Sequence, residues 1–202
     1  MKKYFKYGKK ETDYLKKCDK KLAALIDKVG HVDFECHEDL FSGMIYIIIG
    51  QQISMKVQEA VWQRVTNIIN PTTPDTILTA GYETLHGCGM SYRKAEYIMN
   101  CALKIKSGKI NLEHIKNMSD NEAIEELIKL KGVGVWTAEM LLLMCLMRNN
   151  ILSYNDLGIR NGLKLVYHHK TITRELFEKY RKRFSPYGSI ASFYLWAAGE
   201  YK

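Results

Sequence analysis

The stretch Leu130–Met144, LKGVGVWTAEMLLLM, decides how the rest of the chain is read. Two glycines one residue apart, Gly132 and Gly134, divide a polar amphipathic segment from a strongly apolar one. Upstream, Ser119 and Glu122 stand in capping-box register, so a helix starts there and runs into Gly132. Downstream, residues 135–147 predict a second helix. Glycine permits positive φ and a close backbone approach. Successive N–H groups at the start of the second helix can then point outward and, with the helix dipole, form an anion site. Such a turn grips a nucleic-acid phosphate without reading a base. An ordinary αα-hairpin whose glycines only shorten the turn accounts for these residues equally well.

Working outward, the chain reads as nearly all helix, with three prolines and little strand-like alternation. Residues 13–29 set Leu15, Leu22, Leu25, Ile26 and Val29 on one helical face. Residues 38–50 are apolar all round and predict a buried helix, although their IYIII run also suits a strand. Ser54 caps the next helix, Thr72 or Thr73 caps a short one before Pro74, and residues 91–106 form another. Asp156 is placed to cap a helix from Leu157. TITRELFEKYRKRF is amphipathic, and a last helix begins at Ser185–Pro186 and ends near Gly199.

At 202 residues the chain forms one domain or two small lobes. No run of about 18 apolar residues exists and the N-terminus lacks an apolar signal core, so an intracellular protein is expected, cytoplasmic and nucleoid-associated or nuclear according to the organism. Five cysteines without a CxxC pair argue against zinc, a disulfide framework and an iron–sulfur cluster, and fit reduced, packed thiols. The formal charge of +8 favours an anionic partner such as nucleic acid. Nine of the lysines fall within residues 1–21, which read as a solvated, partly flexible basic arm or a DNA-binding tail.

IIIGQQIS (47–54), GMSYRKAEYI (89–98), LKGVGVWTAEM (130–140), NDLGIRNGL (155–163) and SPYGSIASFYLW (185–196) occur in one order across nearly the whole chain. In that order the sequence resembles the helix–hairpin–helix DNA glycosylase superfamily, in its 3-methyladenine DNA glycosylase II branch. The resemblance implies an all-α, two-lobed fold with the active-site cleft between lobes. Residues 1–202 would make a single catalytic domain, with 40–148 as the hairpin lobe and 1–39 plus 149–202 as the second. The residues before Gly50 read as helix and basic arm, without the β-rich N-terminal domain of some relatives.

By the same resemblance Asp156, 24 residues past Gly132, is the catalytic carboxylate. Breaking an N-glycosidic bond develops positive charge on the sugar, which a held anion stabilises while it orients or deprotonates water. A plain helix cap is the competing role for Asp156, and the two are compatible, since capping N–H groups favour the charged carboxylate. Strand-cutting relatives carry a lysine nucleophile where this chain has Trp136, which implies a monofunctional enzyme using water. Trp136, Trp196, Met140 and Tyr154 are the implied walls of the base pocket, Met140 replacing an aromatic of some relatives; a cationic purine stacks well on indole. For each tryptophan alone core packing is the commoner role, and Trp62 is assigned to it.

Gln52 matches the residue that fills the hole left by a flipped base, with a polar turn capped by Ser54 as its alternative. Ser91, Arg93 and Lys94 at a helix start suit phosphate, as they suit a solvated basic face. Gly132, Gly134 and Thr137 complete the DNA-binding set, and Lys131 faces phosphate or solvent. The main-chain carbonyls of Ile128, Leu130 and Val133 are the implied ligands of a monovalent Na or K ion; no cofactor is required. The expected partner is damaged double-stranded DNA, bound by a monomer and away from membranes. The implied activity is excision of 3-methyladenine, with 7-methylguanine as a further substrate, to leave an abasic site. Two alternatives remain: a non-catalytic hairpin module that binds DNA or abasic sites, and a glycosylase for another lesion.

Overall fold

The computed structural model describes residues 3–37 and 39–199. The order is β1 (Lys3–Tyr4), α1 (Lys9–Cys18), α2 (Lys20–Val29), β2 (Glu35–Cys36), α3 (Leu40–Gly50), α4 (Met55–Ile68) and α5 (Pro74–Gly87). Then follow α6 (Tyr92–Lys106), α7 (Leu112–Asn117), α8 (Asp120–Leu127), α9 (Val135–Met144), α10 (Leu157–Tyr167), α11 (Arg174–Phe184) and α12 (Gly188–Ala197). Two compact units divide the chain: residues 37–146 form one, and those up to Cys36 together with those from Met147 onward form the other. Among the described residues no helix is long and apolar enough to cross a membrane.

In the unit of residues 37–146, α3 is the centre. Its side chains Leu40, Phe41, Met44, Ile45, Ile47, Ile48 and Ile49 are all buried. Each fully buried aliphatic side chain contributes about 1.5–3 kcal/mol of transfer free energy, so the β-branched run is held as helix by burial against its weak helix propensity. α9 packs against α3 and is equally apolar; a Cβ at Gly43 would lie 2.3 Å from Cys145 Sγ. The caps expected from sequence are in place. Ser54, Thr73, Ser91 and Ser119 each accept the backbone N–H three residues on, and Glu122 closes the box at Ser119. α7, capped by Asn111, has no counterpart in the sequence reading; six residues carry too little periodicity to register. α9 ends at Met144, three residues before the expected 147.

The other unit packs α10 on α12, with α2 against both. The single helix expected over 13–29 is two helices broken at Asp19, whose carboxylate accepts the N–H groups of Lys21 and Leu22 and so restarts the backbone as α2. The lysine-rich segment is correspondingly no loose arm. β1 pairs antiparallel with β2, Lys3 opposite Cys36, and α1 follows with Leu15 buried; Lys2 lies outside the described residues. The last helix starts at Gly188 rather than at Ser185. Cys18 is exposed, Cys36, Cys88, Cys101 and Cys145 are buried, and none of the five forms a disulfide.

Candidate active site and nucleic-acid interface

The hairpin is built by α8, a turn and α9. Gly132 takes φ +86, a left-handed conformation natural to glycine, and a Cβ there would fall 2.3 Å from the Tyr97 ring. Gly134 caps α9 at φ −92 with open space around it. The two glycines therefore differ: the first is required by the turn, the second leaves the N-terminal N–H groups of α9 uncovered. Trp136 follows in the first turn, half-buried.

The GQQ turn after α3 reaches the same hairpin. Gln51 Nε2 donates to the Gly132 carbonyl at 2.9 Å and contacts Thr137 Oγ1 at 3.1 Å. Thr137, expected among the DNA contacts, is 2 % exposed and its hydroxyl is turned to Gln51; only its backbone remains for that role. Gln52 stands exposed at φ +59, an uncommon state for a residue with a side chain. Beside this turn lies an open cavity of about 250 Å³ lined by Gln51, Gln52, Ile53, Ser91 and Lys94 among others.

Two of the expected phosphate ligands are committed elsewhere. Lys94 Nζ donates to the Ile49 carbonyl at 2.6 Å, at the end of α3, and burial lowers its pKa below the usual lysine value. Lys131 pairs with Glu96. In both a carbonyl or carboxylate within reach holds the ammonium, and Lys131 remains exposed to solvent. Arg93 is exposed, its Nε donating to Tyr97 Oη at 2.6 Å, and Ser91 serves as the cap of α6. Met140, expected in the pocket wall, is 3 % exposed and lies in the core.

In the second unit, Asp156 is the N-cap of α10 and is 8 % exposed. Its Oδ1 accepts the Ile159 N–H at 2.8 Å and the Trp196 Nε1–H at 2.9 Å. The indole ring stacks on Phe34, with centroids 5.6 Å apart and planes at 18°. Trp196 therefore meets the carboxylate through the edge of its ring, a contact beyond its expected place in the pocket wall. Tyr154, also expected in that wall, is engaged within the chain. Its ring meets Phe177 edge-on at 5.2 Å and carries the Arg174 and Arg160 guanidinium groups at 4.8 and 5.4 Å, so cations of the chain already engage its π-face. Trp62 packs edge-on to Tyr46 at 5.7 Å, in keeping with a structural role.

Three contributors escape a reading of the sequence. Gln51 was signalled only as half of a polar dipeptide. Tyr97 carries no signal, because its role is to lie under a glycine 35 residues away. Gly158, where a Cβ would sit 2.7 Å from Trp196 Cδ1, could have been noticed as a glycine in the first turn of a predicted helix.

The comparisons agree with this geometry. Residues 45–186 match the family described as HhH-GPD superfamily base excision DNA repair protein. DNA-3-methyladenine glycosylase 1 of Schizosaccharomyces pombe is 32 % identical over 161 residues, covering 77 % of this chain and 71 % of that protein. The alkylbase DNA glycosidase-like protein mag2 of the same yeast is 31 % identical over 197 residues, covering 93 % and 92 %. Among solved structures, the S. pombe 3-methyladenine DNA glycosylase in complex with abasic DNA matches with TM-score 0.86 at 30 % identity, over 93 % of this chain and 95 % of that one. The 3-methyladenine DNA glycosylase from Archaeoglobus fulgidus matches with TM-score 0.82 at 29 % identity, over 97 % and 70 %. With a family match over most of its length, a relative 32 % identical and the fold in agreement, this chain belongs to the HhH-GPD superfamily of base excision DNA repair proteins.

Proposed function

We propose that this chain is a DNA glycosylase of base excision repair that hydrolyses the N-glycosidic bond of alkylated purines, 3-methyladenine first and 7-methylguanine as well. The observation that carries the reading is Asp156, a carboxylate capped by the Ile159 N–H and held by the Trp196 indole. As the C1′–N bond breaks, its electron pair leaves with the base, and an alkylated cationic purine departs without a strong acid. The sugar becomes oxocarbenium-like, Asp156 stabilises that charge, and water adds to C1′ as its proton passes to the carboxylate. Trp136 offers no nucleophile, so the product is an abasic site with its strand intact.

The remaining roles belong to the same proposal. Gln52, exposed on a left-handed turn, fills the space of the flipped nucleotide; Trp136 meets the base; the α9 N–H groups at Gly134 meet a phosphate of damaged duplex DNA. The carbonyls of Ile128, Leu130 and Val133 suit a monovalent cation: they are hard, uncharged oxygens, and that of Leu130 keeps a second lone pair beside the one taken by the Val133 N–H at 3.1 Å. A bound Na or K ion would stiffen the turn and take no part in the chemistry.

The test uses methylated duplex DNA, assayed for free bases and for alkali-labile sites. The protein releases 3-methyladenine and Asp156→Asn does not. Undiminished release by the variant overturns the role of Asp156, strand cleavage without alkali overturns the monofunctional reading, and tight binding without release from any lesion makes the chain a binding module.

A further inference from the structure

We infer that Trp196 is a positioning residue, holding the plane of the Asp156 carboxylate through its indole N–H, and that Gly158 is the spacer that lets it do so. The inference rests on the reading of Asp156 as the catalytic carboxylate. A carboxylate turns easily about its last side-chain bond, because that torsion is broad. The bond from the Ile159 N–H is the one any capping aspartate makes and fixes one oxygen only. The indole supplies a second donor to the same Oδ1, from α12 rather than from α10. Two donors from different elements define the plane, and placement of this kind matters where charge develops in the transition state.

The indole is itself held. Phe34 stacks on it at 5.6 Å, and Phe34 in turn lies against Phe193 at 4.3 Å with planes at 14°. A rigid ring in such a stack cannot yield to a new neighbour as a flexible chain end can. A Cβ at position 158 would sit 2.7 Å from Trp196 Cδ1, 3.0 Å from Nε1 and 3.2 Å from Asp156 Oδ1. The three nearest atoms a methyl would meet there all belong to the two partners of this hydrogen bond. Glycine within a helix costs up to about 1 kcal/mol against alanine, so the chain accepts a local penalty at this position.

The next glycine on the same face shows the contrast. At Gly162 a Cβ would strike the Leu195 carbonyl oxygen at 2.2 Å and its Cα at 2.9 Å, all backbone of α12. Gly162 sets how closely α10 and α12 pack, whereas the nearest atoms to a Cβ at Gly158 are those of the Trp196 and Asp156 side chains. The first is a requirement of the fold and the second a requirement of the carboxylate.

The experiment measures single-turnover base release and, separately, affinity for lesion-containing duplex. The variants are Trp196→Phe, Gly158→Ala, the two together, and a protein carrying benzothienylalanine at 196, which keeps the ring shape and removes the N–H. Each single change lowers the rate about tenfold or more, as loss of one hydrogen bond to a charged group does, while affinity stays within about twofold. The double variant is no slower than the worse single one, because both changes break one bond. Multiplicative losses, an unchanged rate with the benzothienyl isostere, or a loss confined to affinity overturns the inference, the last by making Trp196 a stacking face. Asp156→Asn separates the two levels: if it still releases base, the underlying reading fails; if it is inactive while Trp196→Phe keeps full rate, only this inference fails.

Discussion

Gln52 stands at φ +59 with its side chain exposed, where glycine would be at ease. A residue with a Cβ costs about 1 kcal/mol or more in the left-handed region, and the chain retains it at the tip of the turn that reaches the hairpin. Gln52→Gly is therefore expected to leave stability unchanged or raise it by up to about 1 kcal/mol in urea, while base release falls because nothing fills the vacated stack. A variant that loses stability in step with activity would mean the side chain serves the fold. Gln51 behaves oppositely. Gln51→Ala strips the Gly132 carbonyl and the Thr137 hydroxyl of a donor and should cost about 1–3 kcal/mol, read as a lower urea midpoint, with weaker DNA binding as a consequence. The sequence alone ranks these neighbours the other way. It singles out Gln52 by its offset from Gly50 and is silent on Gln51, since an amide bonding across 81 residues leaves no local trace.

At the scale of elements the two hairpin glycines part company. Gly132→Ala meets both a left-handed φ of +86 and the Tyr97 ring at 2.3 Å, so it should destabilise the hairpin unit by more than about 1 kcal/mol and abolish DNA binding with it. Gly134→Ala meets no atom within 4 Å and an ordinary φ, so its melting point should hold to within the roughly 1 kcal/mol worth of a helix cap while DNA affinity drops, the new methyl standing before the N–H groups. Equal effects of the two would refute the division of labour. The junction of α1 and α2 makes a pH-dependent counterpart. Burial pushes the Asp19 carboxyl up, but the Leu22 N–H, the Arg183 guanidinium and the Tyr167 hydroxyl outweigh it and hold its pKa below the ordinary aspartate value. A depressed folded-state pKa contributes stability that is complete above the unfolded-state value near 3.8 and fades as pH falls through the folded one. The stability gap between the protein and Asp19→Asn should thus be widest at neutral pH and close below about pH 4; a gap that widens on acidification would contradict it. Here too the limits of the sequence are physical. Caps such as Ser54, Ser119 and Asp156 act within three residues and were legible; Asp19 caps α2 in the same local way, but the Arg183 that pairs with it comes from the far end of the chain and leaves no local trace.

Over the whole molecule the net charge of +8 already sets each carboxylate against a cation, so what it leaves open is which cations stand free of a partner near the hairpin. Lys16 is paired with Asp27, Lys106 with Asp75, Lys116 with Glu113 and Lys179 with Glu175. Nearest the hairpin, Lys129 pairs with Glu126 and Lys131 with Glu96, while Lys94 and Lys104 donate to the carbonyls of Ile49 and Lys129. Lys129 and Lys131 are thus neutralised in pairs, and on the proposed reading the hairpin holds phosphate chiefly by N–H groups and the helix dipole. Such contacts release few condensed counterions, since that release follows neutralisation of phosphate by cations. If all eight net charges engaged phosphate, the logarithm of affinity would fall against the logarithm of salt with a slope of about −7; a hold by N–H groups predicts a shallower one. Anisotropy titrations of a lesion-containing duplex from low to high salt measure it directly, and a slope near the steeper value would show that the lysines, and not the hairpin, hold the DNA. Glu96→Gln isolates the argument to one pair. It frees Lys131 beside Gly132, so binding should tighten at low salt and the slope steepen by about 1, with base release from bound DNA unchanged. An unaltered slope in that variant would place Lys131 outside the phosphate path, and a weaker affinity would assign Glu96 to the fold of the hairpin.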